Sequence, residues 1–383
     1  MYERILSFIR ELHGEPEGFI PLHAPVFAGR EKEYLNDCVD STFVSSVGAY
    51  VSRFEDMVRE FTGAAEAVAV VNGTCALTAA LTLAGVEPGD LVITQGLTFV
   101  ATANAIVHAG GVPAFLDSDR DTLGLSPEAL AAFLDAHAKR ESGRAIHSES
   151  GRRIGAVVPM HVFGHACRID AIAEICREWH IPLVEDSAEA LGSIYKDRPL
   201  GTWGRMGVLS FNGNKTITTG GGGMILTGDP ELGARIRHLT TTAKQPHPWR
   251  FFHDETAWNY RMPNINAALG CAQMERLGAF LERKRAIAAA YDAFFSDVDG
   301  VEFVREPAHC RSNYWLCAVL FEDGERRDEF LRVSNERGVM TRPAWELMAD
   351  LPMYASAPCD GLPVAREITR RLVNLPSGVG NAG

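Results

Sequence analysis

Lysine is scarce in this chain of 383 residues, present only as Lys32, Lys139, Lys196, Lys215, Lys244 and Lys284. Few amines are therefore available for covalent or acid–base work, and the surroundings of each are informative. Basic runs of five or six residues are absent and the formal net charge is −12, which argues against a nucleic-acid surface. The cysteines at 38, 75, 167, 176, 271, 310, 317 and 359 form no CxxC pair. Their mostly apolar or helical surroundings fit free thiols in a reducing cytoplasm better than disulfides or zinc ligands, so no metal is expected. No apolar run reaches membrane-spanning length and the N-terminus lacks a signal-peptide pattern, so a cytoplasmic protein off the membrane is expected. Internal repeats and low-complexity tracts are missing as well.

At 46% hydrophobic, the chain can bury a large core. Residues 2–13 read as an amphipathic helix, and 30–39 and 51–62 as helices. Strands are predicted at 68–71, 91–94, 113–116, 155–160, 183–185 and 208–211, with helices at 74–83, 101–108, 127–136 and 169–178 between them. That alternation predicts an α/β fold, a mostly parallel mixed sheet covered by helices on both faces. Residues 137–154 read as a solvated hairpin. A long helix over 265–295 leads to a smaller C-terminal α+β domain with strands near 301–304 and 314–321. The expected division is 1–270, an N-terminal segment and large domain, and 271–383, the small domain.

Lys215 stands in Ser210-Phe211-Asn212-Gly213-Asn214-Lys215, shortly before Gly220–Gly223. Upstream, the apolar run Ile181–Val184 leads into Glu185 and Asp186. A lysine beyond an acidic strand end is the wiring of a pyridoxal 5′-phosphate (PLP) enzyme. The amine bonds to the cofactor and the carboxylate keeps the pyridine nitrogen protonated, so the ring can accept electrons. Asn72-Gly73-Thr74, between strand and helix, offers backbone N–H groups to a phosphate or simply caps the helix. Ser210 adds a hydroxyl. Phe99, past a strand end, fits either a ring-stacking aromatic or a core residue. Glu189 reads as a partner for the cofactor's phenolic oxygen or a first-turn glutamate. His161 either faces the ring or is a satisfied core histidine.

These stretches resemble the DegT/StrS family of sugar aminotransferases, PLP enzymes of fold-type I. The markers are VNGTCAL (71–77), EDSAEALGS (185–193), SFNGNKTITTGGGGMI (210–225), WNYRMPNINAALGCAQMERL (258–277), SNYWL (312–316) and NLPS (374–377). EGFIPLHAPVF (17–27), STFVSSVGAYV (41–51), the 242–257 segment and Pro263-Asn264 are similar to the LegC-type branch. The resemblance implies Gly73, Thr74 and Ser210 on the phosphate, Phe99 on the ring, Asp186 at its nitrogen and Lys215 as catalytic amine. It implies a homodimer with shared active sites, Asn259 reaching the phosphate of the neighbouring subunit's cofactor. L-glutamate would give its amine to a keto sugar nucleotide, a 4-keto-6-deoxy (N-acetyl)hexosamine. Arg250, His253 and Arg342 are expected on the pyrophosphate side, with Trp249, Phe252 and Tyr314 as walls. A non-catalytic binder of PLP or sugar nucleotide, and a PLP enzyme acting on an amino acid, are the alternatives.

Overall fold

The computed structural model describes residues 1–380. Its main sheet contains β1 (Glu66–Val70), β2 (Leu91–Gln95), β3 (Val112–Leu116), β4 (Ile154–Val157), β5 (Val184–Asp186), β6 (Met206–Ser210) and β7 (Gly223–Thr227). Two ladders, β1-β7-β6-β5 and β4-β2-β3, are joined by parallel bridges Val157–Leu183 and Met160–Asp186. β7 lies between β1 and β6 and is antiparallel to both, while the pairs β5–β6, β2–β3 and β2–β4 are parallel. The mostly parallel mixed sheet expected from the sequence is present, and β7 is its antiparallel member.

Successive strand residues point to opposite faces, and although the strands are buried along their length, alternate residues fall into two different apolar clusters. Val68, Val70, Val208 and Ile225 pack in one apolar cluster with Leu77, Ala80 and Leu81 of α1 (Gly73–Ala84). Their neighbours Ala67, Ala69, Leu209 and Met224 pack in another with Phe54, Phe211 and Met262. Helices therefore cover both faces, which explains why the strands read as near-continuous apolar runs.

Helix α2 (Val100–His108) follows β2. The 32-residue α3 (Asn264–Phe295) begins against the main body through Ala267, Ala268, Cys271 and Ala272. It ends against a second sheet through Ile287, Ala288, Tyr291 and Phe295. The expected division at 270/271 thus falls inside one continuous helix. That second sheet is antiparallel, in the order β8 (Val301–Phe303), β9 (Cys317–Phe321), β11 (Leu372–Leu375), β10 (Arg342–Pro343). The N-terminal helix Tyr2–His13 buries Ile5, Leu6 and Ile9 in the same cluster as Val319, Phe321 and Val373, so the first residues pack with the last.

Two local findings refine the sequence reading. Within the 137–154 stretch expected as a hairpin, Ala138–Glu141 pairs with Arg144–His147, the first strand largely exposed and the second burying Ala145 and His147. The strand expected from 314 starts only at Cys317. Tyr314 has φ 47°, and Lys284 Nζ donates to the Tyr314 and Trp315 carbonyls, which turns the chain away from a ladder there.

Candidate active site

The parallel strands deliver their carboxyl ends to one side of the sheet, where ligands of open α/β folds gather. A cavity of about 250 Å³ opens there, lined by Gly73, Thr74, Leu77, Phe99, Met160, Asp186, Ser210 and Lys215 among others. Six of the sequence-selected residues therefore share one wall.

Gly73 begins α1, and the Asn72 side chain accepts the Cys75 N–H at 2.8 Å, fixing the helix start. A Cβ added to Gly73 would lie 3.1 Å from Ser210 Cβ and 3.2 Å from its Oγ. The space between helix start and hydroxyl is a cradle that any side chain at 73 would crowd. One added at Gly223 would stand 2.6 Å from the Asn72 carbonyl and 2.9 Å from the Gly73 nitrogen. Glycine at the head of β7 is what lets that corner close. Free first-turn N–H groups, the α1 dipole and two hydroxyls suit a phosphate.

Asp186 closes β5 and is 2% exposed. Thr102 Oγ1 donates to its Oδ2 at 2.7 Å and the Ala188 N–H to its Oδ1 at 3.1 Å. Burial raises its carboxyl above the ordinary carboxylate range, against the pull of those two bonds and of Lys215 and His161. A cationic N–H facing it would reverse that cost.

Lys215 Nζ lies 3.0 Å from Glu189 Oε1 and 3.9 Å from the centre of the Trp315 ring. Glu189 is sealed, and its Oε2 accepts the Phe163 N–H at 2.9 Å. Burial pushes the Glu189 carboxyl up to about 7, with Lys215 and the Phe163 amide opposing. Phe99 stands at the mouth, 45% exposed, tilted against Trp345 with ring centres 6.2 Å apart.

Other expected site residues lie elsewhere. His161 is fully buried, its Nε2–H donating to Glu185 Oε2 at 3.1 Å and its Nδ1 accepting the Cys167 N–H. It is a satisfied core histidine, not a pocket wall. Tyr314 is buried too, its hydroxyl accepting the Glu306 N–H at 2.9 Å and its ring packed on Phe303. The left-handed turn that carries it aims the ring into the core rather than at a substrate. Arg342 is exposed on β10 and donates to Asn335 Oδ1 and the Thr341 carbonyl. Arg250 and His253 are exposed on the irregular 242–258 segment, Arg250 over the Phe252 ring and His253 bonded to the Thr242 carbonyl. Asn259 is exposed, its backbone bridged to Thr241. None of these four lines the Lys215 cavity of its own chain.

Thr102 and Trp315 are site residues beyond those expected from the sequence, although Trp315 falls within the SNYWL stretch. Thr102 lies in the first turn of α2, just after the extended Phe99, and is buried where Phe99 is exposed. Trp315 lies a hundred residues from Lys215, and no local signal joins them.

The cavity holds an anion cradle, a buried carboxyl, an aromatic at the mouth and an amine, a set of groups that PLP would use. Comparison with known proteins agrees. The DegT/DnrJ/EryC1/StrS aminotransferase family profile matches residues 26–381. The chain is 36% identical to the GDP-perosamine synthase of Escherichia coli O157:H7, over 94% of this chain and 93% of that protein. It is 31% identical to the dTDP-4-dehydro-2,3,6-trideoxy-D-glucose 4-aminotransferase of Saccharopolyspora spinosa, over 93% and 91%. Among solved structures, the aminotransferase TlmJ from Streptoalloteichus hindustanus superposes with a TM-score of 0.85 at 32% identity, covering 94% of each chain. Family profile, relatives and fold converge, and the chain belongs to the DegT/DnrJ/EryC1/StrS aminotransferase family.

Proposed function

We propose that this protein is a PLP-dependent nucleotide-sugar aminotransferase that moves the amino group of L-glutamate to a 4-keto-6-deoxy sugar nucleotide. The observation that carries the reading is the single cavity shared by the Lys215 amine, the buried Asp186 carboxyl and the cradle at Gly73, Thr74 and Ser210. Relatives named for GDP-perosamine and for a dTDP-linked 4-keto sugar support a nucleotide sugar and amination at C4. The LegC-like stretches favour an N-acetylhexosamine and a 4-amino-4,6-dideoxy product for surface glycan or nonulosonic acid synthesis.

When bound, PLP supplies the electron sink that lets an amino group leave one carbon and join another. The protein's share is positioning and proton handling. Gly73 and Thr74 N–H groups and the Ser210 hydroxyl would hold the phosphate. Asp186, oriented by Thr102 and Ala188, would keep a proton on the ring nitrogen. Phe99 would pack against the ring. Lys215 carries protons at Nζ, with the Glu189 carboxyl within reach to accept or return one.

The working unit is a homodimer. Phe27 and Phe43 are each 56% exposed, Val47 68%, Trp249 81% and Phe251 79%, apolar side chains that burial against a second copy would take out of water. Asn259, and with it Arg250 and His253, would serve the site of the partner subunit. The cysteines are all free, which supports a reducing cytoplasm. Among the described residues no helix is long and apolar enough to cross a membrane.

The test is a panel of UDP-, GDP- and dTDP-linked 4-keto-6-deoxy sugars with L-glutamate, products identified by NMR. One of them is expected to give a 4-amino sugar with stoichiometric 2-oxoglutarate. Turnover of amino and keto acids alone would overturn the sugar assignment.

A further inference from the structure

Trp315 belongs to the turn that enters β9, far in sequence from the cavity. It is 4% exposed, yet the face of its ring is 3.9 Å from Lys215 Nζ. Three polar bonds fix it. Its Nε1–H donates to the Asn214 carbonyl at 2.6 Å, next to Lys215 in the chain. Its backbone N–H donates to Asn313 Oδ1 at 2.8 Å, and its carbonyl accepts Lys284 Nζ at 3.0 Å. Asn313 in turn donates to the Glu189 and Leu191 carbonyls and to Thr216 Oγ1. The ring is thus tied to the loops of both Lys215 and Glu189, whose side chains are hydrogen-bonded to each other at 3.0 Å.

We propose that Trp315 is a positioning residue whose ring face holds the free ammonium of Lys215 beside Glu189 between bond-making steps. The indole face is electron-rich and attracts a cation, most strongly where water is excluded. Lys215 meets that condition, with its side chain 11% exposed. The other charged or titratable groups facing it are Glu189 and Asp186, with His23, whose ring nitrogens are unpartnered, on the N-terminal segment. Glu189 bonds the amine directly, and the ring fixes the direction from which it approaches. The inference rests on Lys215 being the site's amine, but not on the identity of the sugar.

The experiment is competitive labelling of full-length protein with acetic anhydride near pH 8, mapped by mass spectrometry. It is run on the cofactor-free chain and on enzyme loaded with pyridoxamine 5′-phosphate, where Lys215 is unbonded. Trp315→Leu is expected to raise the acetylation rate of Lys215 about tenfold, and Trp315→Phe less, because a ring face remains. Removing the ring also opens space, so mono-, di- and tetrafluorotryptophan provide a second series that preserves shape while weakening the cation attraction. In that series the Lys215 rate should climb step by step. Lys196 and Lys244 lie over Tyr195 and Phe251, not over tryptophan, and should hold constant. An unchanged Lys215 rate across the fluorinated series would overturn the proposal and leave Trp315 a packing residue. Borohydride reduction of PLP-loaded protein separates that failure from a wrong lysine, since the adduct then maps elsewhere.

Discussion

Glu189 and Lys215 form a nearly enclosed pair, Oε1 to Nζ 3.0 Å, with the carboxyl side chain 1% exposed. Because burial holds the Glu189 carboxyl near 7, the folded chain keeps a proton that the unfolded chain releases near 4.5. Its contribution to stability is fully present below about 4.5 and is lost as pH rises through about 7. Glu189→Gln removes that loss while retaining an acceptor for Lys215. In cofactor-free protein the melting temperature of Glu189→Gln minus that of wild type should grow from pH 5 to pH 8. A gap independent of pH would show that the carboxyl does not titrate in that window.

The second carboxyl has a different task. Asp186 is oriented by Thr102 and Ala188 and lines the cavity. Asp186→Asn should fold and bind PLP but slow single-turnover amino transfer by at least about a hundredfold, the scale for losing a preorganised charge in a site. Thr102→Val should slow it less, about tenfold, by removing one bond to that carboxyl. Near-normal transfer in Asp186→Asn would assign the ring nitrogen to another group.

Much of this was legible from local pattern. The β-α alternation, the acidic end of β5, the Asn72-Gly73 corner and the Ser210–Lys215 spacing are signals within a few residues, and the structure gathers them into one cavity. What escaped depends on contacts distant in sequence or on backbone course. β7 has no counterpart among the predicted strands, and the reason for its leading Gly223 is the Asn72–Gly73 corner 150 residues earlier. Tyr314 reads as a substrate wall because its left-handed turn is imposed by Lys284. His161 reads equally as wall or core until Glu185 and Cys167 are seen on its two nitrogens.

Asn259 and Arg250 test the dimer. Both are exposed and outside their own chain's cavity. Mixing Lys215→Ala protomers with Asn259→Leu protomers should restore part of the activity, since one site of each mixed dimer has both residues intact. No recovery after verified subunit exchange would place each site within one chain. Arg250→Gln should raise the sugar-nucleotide KM while sparing the glutamate half-reaction, because only the second substrate carries a pyrophosphate.

Gly223 and Gly73 separate the fold from the phosphate grip. A methyl at 223 meets backbone at 2.6 Å, so the Asn72–Gly73 corner must shift. A methyl at 73 meets Ser210 Cβ at 3.1 Å and Oγ at 3.2 Å, a milder approach that a shift of a few tenths of an ångström relieves. Gly223→Ala should therefore cost stability, about 1–3 kcal/mol by the measure of overpacked sites. Gly73→Ala should cost less stability but fill the cradle itself. The discriminating measurement is binding of PLP against pyridoxal, which lacks the phosphate, in each variant. Gly73→Ala should weaken PLP about tenfold or more and leave pyridoxal nearly unchanged, because the lost contacts are those to the phosphate. Equal weakening of both ligands would move the phosphate away from the start of α1 and return Gly73 to an ordinary helix-start role.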